Sequence, residues 1–511
     1  LKSGIKGMLK PLDPYTKLLV GSSKEKLDML RTGKYGGVGI QIGNIYDTLT
    51  VLNIFEDSPA YSEGLETGDQ IMMIDSTNTK GMKIPEIAKL IKGELGTQVV
   101  LHIIRPYTKQ KVELTLTRAN IKVNDVPYWG IDENNIAYIR VSRFSKNTAK
   151  DFREALVEIN KLNIDGLVVD LRSNSGGLLS NAINMLDKII DRGSVLLKTK
   201  GRMKRSNKTF NSRSKPIIDS SIPIAVLINK SSASASEIFS GVLQDYDRAV
   251  IIGRKSFGKG LVQSMFNLND TTTLKITTAK YYTPSGRLIQ KQDYMKDGFF
   301  TDGLDKKDSV FVTLKNNRSV FGGGGITPDI ETKIVDKTSY IKALWRKRLF
   351  FKFASIYVPQ NFDFFDKVEF PIVVDDKMLL DFESFIKDYD LDYLLPGEND
   401  LNKMKNKLIS YSKEKDANII DKILFWRNSK EKRLINKLTK YYNREKRKQF
   451  HHPSNKPWIK NGLQREISMI ISGKEEQIRV SLFQDFDYLK AVDILKDKNN
   501  YYDILSNNTI E

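Results

Sequence analysis

Pro223-Ile224-Ala225-Val226-Leu227-Ile228-Asn229-Lys230-Ser231-Ser232-Ala233-Ser234-Ala235-Ser236-Glu237 decides how the chain is to be read. The apolar run over 223–229 has no polar alternation, as expected of a strand buried on both faces. The Ser/Ala/Glu stretch after it has the composition of a helix start, so a strand turns directly into a helix over 236–245. The same alternation recurs on both sides of this stretch. Strands are expected over 135–141, 165–171 and 249–252, with helices over 148–162 and 178–190. Strand and helix in turn specify a layered α/β core.

Outward from that core, residues 1–35 read as helix plus loop, with Pro11 and Pro14 favouring a turn around Leu12 and Asp13. From Gly36 a small mixed unit begins. Its signals are an alternating run through Ile40, Ile42 and Ile45, a strand over 51–55, and a helix start at Ser58-Pro59-Ala60. A Gly68-Asp69 turn, a strand over 70–74, a helix over 84–91 and a strand pair over 98–105 and 111–118 complete it. At about 85 residues it has the size of a peptide-binding module. Residues 272–282 alternate like an edge strand, and Phe321-Gly322-Gly323-Gly324-Gly325-Ile326 marks a sharp backbone excursion. Beyond about 335 the chain reads as polar helix, including a long stretch over 417–448.

The chain has 511 residues, which at roughly 150 per domain predicts three or four units. Lys and Arg number 82 against 62 Asp and Glu, a net charge of +20 that suits anionic partners. The excess is uneven, since residues 401–450 hold 16 Lys/Arg and 5 Asp/Glu. No nucleic-acid recognition motif accompanies it, so this segment is expected to be a solvated helical surface and no nucleic acid is expected as partner. Zero cysteines exclude disulfides, thiolate metal sites and a cysteine nucleophile. The three histidines are His102, in a strand-like run, and His451 and His452 in the basic region. None forms a His-Glu-x-x-His motif, so no metal or other cofactor is expected, and any hydrolytic base must be another residue. The chain begins at Leu1 inside what reads as a domain, so a preceding targeting or anchoring segment is expected.

Two features in the core compete for chemistry. Gly253-Arg254-Lys255-Ser256-Phe257-Gly258-Lys259-Gly260 matches a phosphate-binding loop except at its last position, where Gly260 replaces the Ser/Thr that would hold magnesium. The apolar strand ending at Asp170 imitates the second magnesium anchor, but it precedes the loop, and Leu261-Val262-Gln263-Ser264-Met265 does not promise a helix. The other feature is the serine run. Alone it reads as N-capping, with serines satisfying the free amides of a helix start. Two neighbours shift it towards catalysis. Arg172-Ser173-Asn174-Ser175-Gly176-Gly177 exposes amides at the carboxyl end of a buried strand, where α/β sheets place their sites. Lys259, between two glycines, can approach another backbone, and burial would lower its pKa until a neutral amine could take a serine proton.

These residues carry a resemblance. The region from Leu9 to Ile330 resembles the carboxyl-terminal processing proteases, also called tail-specific proteases. The matching text is Leu12-Asp13-Pro14-Tyr15, Ser58-Pro59-Ala60 with Gly64-Leu65 and Gly68-Asp69, and Asp170-Leu171-Arg172-Ser173-Asn174-Ser175-Gly176-Gly177. It continues through Ser232-Ala233-Ser234-Ala235-Ser236-Glu237, then Phe257-Gly258-Lys259-Gly260 with Gln263, and Tyr281-Tyr282-Thr283-Pro284-Ser285-Gly286. Gly325-Ile326-Thr327-Pro328-Asp329-Ile330 closes it. The resemblance implies Ser234 as nucleophile, Lys259 as base, Gln263 as the residue orienting the lysine, and oxyanion amides from Gly176, Gly177 and Ala235. Ser232 and Ser236 are the alternatives to Ser234, and Glu237 and Asp245 read as helix and packing residues. Ser175 stands where the family usually has proline, which loosens that turn but leaves its amides. The small module resembles a PDZ domain, with Gly37-Val38-Gly39-Ile40 as the loop that would hold a terminal carboxylate beside an apolar pocket.

The expected architecture is a PDZ domain over 36–118 joined to an α/β, crotonase-like protease core over 119–334. Residues 1–35 would be an N-terminal part of that core or a helical platform, and 335–511 a basic helical C-terminal domain. The expected function is a serine endopeptidase with a Ser/Lys dyad that captures proteins by apolar C-termini. A PDZ scaffold that binds tails without cutting them is the alternative, and a nucleotide hydrolase ranks third. The helical region is a candidate contact for a second copy or an adaptor, and the family implies a bacterial cell-envelope location.

Overall fold

The unbroken apolar runs lie between two layers of helix. The structure, a computed structural model, describes residues 2–45, 47–122, 124–291, 309–367, 369–414 and 430–506. A six-stranded sheet runs in the order Tyr128–Ile131, Ile136–Arg140, Gly166–Asp170, Ile224–Ile228, Val250–Gly253, Ile330–Glu331. The first pair is antiparallel and the rest are parallel. Period-2 geometry divides each strand between two cores. Leu167, Val169, Ile224, Val226 and Ile251 join the helices Thr148–Asn160, Leu179–Leu186 and Ala235–Asp245 on one face. Val168, Ala225, Leu227, Val250 and Ile252 face the opposite way, onto the helices Phe486–Lys496 and Lys498–Ser506. Burying each large aliphatic side chain here contributes about 1.5–3 kcal/mol, which explains why these strands tolerate no polar alternation.

The region expected as one helical domain therefore serves two cores. Helices Ser339–Arg346, Leu349–Gln360, Asp376–Ile386 and the first half of Lys456–Leu482 enclose an aromatic cluster that includes Phe350, Phe353 and Phe382. The last two helices instead form the second layer of the parallel sheet. Of the stretch 417–448, helix Lys430–Arg447 is seen, and residues 417–429 lie outside the described residues. No helix among the described residues is long and apolar enough to cross a membrane.

A second sheet carries the front of the molecule. Strand Thr272–Tyr282 pairs with Leu261–Asn269, with Val195–Lys200 and, at its start, with Lys17–Val20. Residues expected to be loop before position 35 thus supply an edge strand. Leu261–Asn269 is strand where a phosphate-binding loop requires helix. Asp170, the supposed magnesium anchor, is enclosed by Arg140, Arg172 and the Tyr138 hydroxyl. Together these overturn the nucleotide-loop reading.

The small module has its own sheet, ordered Ile40–Ile45, Thr48–Ile54, Gln70–Ile74, Gln98–Ile104, Lys111–Thr117, closed over Val51, Ile71, Ile87 and Leu101. Ile40–Ile45 is an edge strand, and helix Ile84–Ile91 packs near it. Strands Lys34–Gly37 and Ala119–Lys122 pair where the chain enters and leaves the module.

Candidate active site

Two turns at the carboxyl end of the parallel sheet are joined by hydrogen bonds. The turn after Gly166–Asp170 offers the carbonyls of Leu171 and Asn174. Ser232 Oγ donates to Leu171 O at 2.8 Å, and Ser236 Oγ and the Ala233 amide donate to Asn174 O at 2.9 and 3.1 Å. Both serine side chains are fully buried. They act as structural pegs, and of the three expected serines only Ser234 stands partly open.

Ser234 sits at the junction of strand and helix with φ 55° and ψ −110°, a conformation that L residues rarely adopt. Such strain persists only where surroundings enforce it. Its amide donates to Glu237 Oε2 at 2.7 Å, and its carbonyl accepts from the Tyr281 hydroxyl at 3.2 Å and from the Ile238 amide at 2.9 Å. Gly176 presses against it. A Cβ on Gly176 would lie 2.6 Å from Ala233 O and 2.9 Å from Ser234 Cβ, so no side chain fits there.

Glu237, expected only to pack a helix, ties the two halves of the site together. Oε1 accepts from Ser256 Oγ and the Gly258 amide at 2.5 and 2.6 Å, and Oε2 accepts from the Ser234 and Lys259 amides. Burial raises its pKa, and the four donors oppose that rise. The one Tyr281 hydroxyl proton is shared between the Ser234 carbonyl and that of Lys259, the nearer acceptor at 2.5 Å. Burial holds the Tyr281 pKa well above that of free tyrosine, so it stays a donor. Asp245 pairs with the fully buried Arg287 at 2.7 Å, a packing role as expected.

The Lys259 pKa is lowered to about 8, chiefly by burial and next by the Lys275 ammonium, while Glu237 and Asp13 pull the other way. Its Nζ lies 4.7 Å from the centroid of the Tyr15 ring. Asp13 sets that ring in place by accepting from the amides of Tyr15 and Thr16 and from Thr277 Oγ. Lys259 Nζ makes no hydrogen bond with Ser234 or Gln263 among the described residues. The Gln263 amide instead donates to Leu261 O at 3.2 Å.

The expected oxyanion donors separate. The Gly176 amide is engaged by Asn174 Oδ1 at 2.9 Å, whereas Gly177 is exposed and Ala235 opens the helix. Tyr15, Tyr281 and Asn174 lie within motifs visible in the sequence, but nothing local signals their partners. In the small module, the Val38 and Gly39 carbonyls turn inward to the Ala60 and Phe55 amides, at 3.0 and 2.9 Å. Gly37 ends a strand and Ile40 opens the edge strand, beside partly buried Ile42, Ile84 and Leu90.

Comparison with known proteins places the chain by family. Residues 135–298 match peptidase family S41, residues 50–105 match the PDZ domain, and residues 340–495 match the probable PDZ-protease C-terminal helical domain. The chain is 37% identical over 294 residues to a carboxy-terminal-processing protease of Bartonella bacilliformis, covering 57% of this chain and 67% of that one. It is 36% identical over 301 residues to a carboxyl-terminal-processing protease of Synechocystis sp., covering 58% and 70%. Among solved structures, the photosystem II D1 C-terminal processing protease is 27% identical with a TM-score of 0.37, covering 65% and 81%.

Proposed function

Since the chain belongs to peptidase family S41 and is a serine peptidase, we propose that it cuts polypeptides with Ser234 as nucleophile and Lys259 as base, after capturing their free C-termini. The observation that carries this reading is the shared clamp. Glu237 and Tyr281 each hold the backbones of both Ser234 and Lys259.

In this reading the neutral Lys259 amine takes the Ser234 hydroxyl proton as Oγ attacks the scissile carbonyl. The amides of Ala235 and Gly177 receive the oxyanion, aided by the start of the helix Ala235–Asp245. The lysine ammonium then returns its proton to the leaving amine, and the amine that remains activates water against the acyl-enzyme. Closing the gap between Nζ and Oγ is left to the substrate-bound state, where catalytic hydrogen bonds commonly tighten. Gln263 orients the lysine in that state, and the Tyr15 ring, 4.7 Å from Nζ, packs against it. In the PDZ module, amides over 37–40 take the terminal carboxylate. The tail extends the sheet along Ile40–Ile45, with its last side chain towards Ile84 and Leu90.

Mass spectrometry of an unfolded protein digested by wild type and by Ser234→Ala tests the reading. Fragments made only by the wild type support it, and identical fragments from both overturn it.

A further inference from the structure

Between the carboxyl end of the parallel sheet and the helical region lies a cleft of about 640 Å³. Its sheet side is electrically settled. Arg140, Arg172 and Arg254 pair there with Asp170, Asp485 and Asp487 at 2.5–3.0 Å. Its helical side is not. Lys333, Lys337, Arg465 and Lys474 line it, and none forms an ion pair with a carboxylate among the described residues.

The backbone brings these cations together. Gly473 breaks the helix Lys456–Leu482 with φ 76° and ψ −164°, a conformation open to glycine. Asn461 and Arg465 before the break and Lys474 after it therefore line one cleft. Lys337 Nζ lies 4.8 Å and 5.3 Å from the ring centroids of Trp458 and Trp345, and the Arg465 guanidinium 5.0 Å from Trp345. Burial and the neighbouring Arg465 charge hold Lys337 below the ordinary lysine pKa. Burial does the same for Lys474, opposed by the Glu466 carboxylate and aided by Arg465.

Two buried N–H groups of lining residues have no acceptor among the described residues, Asn461 Nδ2 and Arg465 Nε. Asn461 is only 4% exposed and lines the cleft. Lys474 Nζ donates to Gln477 Oε1 at 2.6 Å, and the buried Glu466 carboxylate acts on both Arg465 and Lys474. Four cations and the unpaired donors exceed this one carboxylate, and that surplus in a partly dry site is complementary to an anion. The volume is that of a pocket for a small molecule or a short peptide segment. We propose that this cleft is an anion-binding subsite that takes carboxylate or phosphate oxygens, from a free anion or from acidic residues of a polypeptide. Ser173 and Asn229 form part of its wall and bond to each other, so an occupant would touch the turns that lead to Gly177 and Ser234.

Calorimetry on the full chain tests this without turnover, so its failure is separable from failure of the peptidase reading. The probes are inorganic phosphate and an oligoglutamate peptide blocked at both ends, with oligoglutamine as control. Binding of either anion, weakened at least about tenfold in Lys337→Gln/Arg465→Gln, is expected, as charge-assisted bonds are lost. If that double variant does not fold, Lys474→Gln is read in its place. Phosphate alone identifies a free anion as occupant, and the peptide alone identifies acidic polypeptide. Absence of binding by wild type, equal binding of oligoglutamine, or unchanged affinity in folded variants overturns the proposal.

Discussion

Ser234 and Lys259 donate their backbone amides to the same atom, Oε2 of Glu237, at 2.7 and 2.9 Å. They are 25 positions apart in the chain, yet one carboxylate oxygen sets the distance between their backbones. Replacing that carboxylate is therefore a sensitive test. In Glu237→Gln an amide NH₂ would face donors, leaving buried N–H or O–H groups unpaired. The expected result is a loss of about 3–5 kcal/mol in urea unfolding, together with loss of peptide cleavage.

The serine run makes a second prediction. Ser234→Ala should abolish peptide cleavage and leave stability nearly unchanged, because its side chain is not one of the buried pegs. Ser232→Ala and Ser236→Ala remove fully buried hydroxyls bonded to Leu171 and Asn174. Each should cost about 1–3 kcal/mol of stability while the folded fraction still cleaves. Thermal melts beside a cleavage assay separate the two classes, and cleavage by Ser234→Ala would reassign the nucleophile.

The pH profile follows from Lys259. With its pKa near 8, the neutral amine grows through that value, so kcat/KM should rise with a midpoint close to 8 and then level off. Lys275 lowers this pKa by repulsion. Lys275→Gln should therefore move the midpoint to higher pH, and a midpoint unmoved or lowered would contradict the electrostatic account.

The same shift makes Lys259 a source of instability. Its folded pKa lies below the unfolded value, so the unfolded chain binds the extra proton between about pH 8 and 10.5. Stability from this group rises with pH across that window. Lys259→Met should be inactive yet more stable at pH 7 by about 1–3 kcal/mol. That advantage should fade as pH rises from 8 to 10.5 in denaturant titrations.

Tail capture is tested on one unfolded protein with a free apolar tail, an amidated tail and a tail ending in Asp or Lys. Losing a charge-assisted bond at 37–40 should raise KM by roughly ten- to a hundredfold for the amidated form. A charged final residue should be captured poorly as well, because an apolar pocket cannot solvate it. Equal KM values for all three would remove the PDZ module from substrate selection.

The parallel strands were legible because burial on both faces leaves an unmistakable run, as at Ile224–Ile228, where all five residues are buried. Lys17–Val20 and Val195–Lys200 were not, since Lys17, Lys198 and Lys200 face outward and break the apolar signal. Ser234 and Lys259 could be picked out from their turns. The bonds that hold them could not, because Glu237 meets donors 19 to 22 positions further along the chain. Tyr15 meets Lys259 only because the strand Lys17–Val20 docks beside Thr272–Tyr282, a pairing with no local signature. The cationic cleft depends on a single break at Gly473, which in a helical pattern reads as a tolerated glycine.

Helices Phe486–Lys496 and Lys498–Ser506 cover the rear of the parallel sheet, yet they are the last described segments to be synthesised. Until they leave the ribosome, Val168, Leu227 and Ile252 lack the cover of Tyr488, Ala491, Val492, Ile494, Leu495, Tyr501 and Leu505 on that side. The nascent chain therefore carries its serine and lysine long before the sheet beneath them has a finished back. Translation order acts as a delay, and a ribosome-bound fragment ending before residue 486 would be a client for chaperones rather than a working protease.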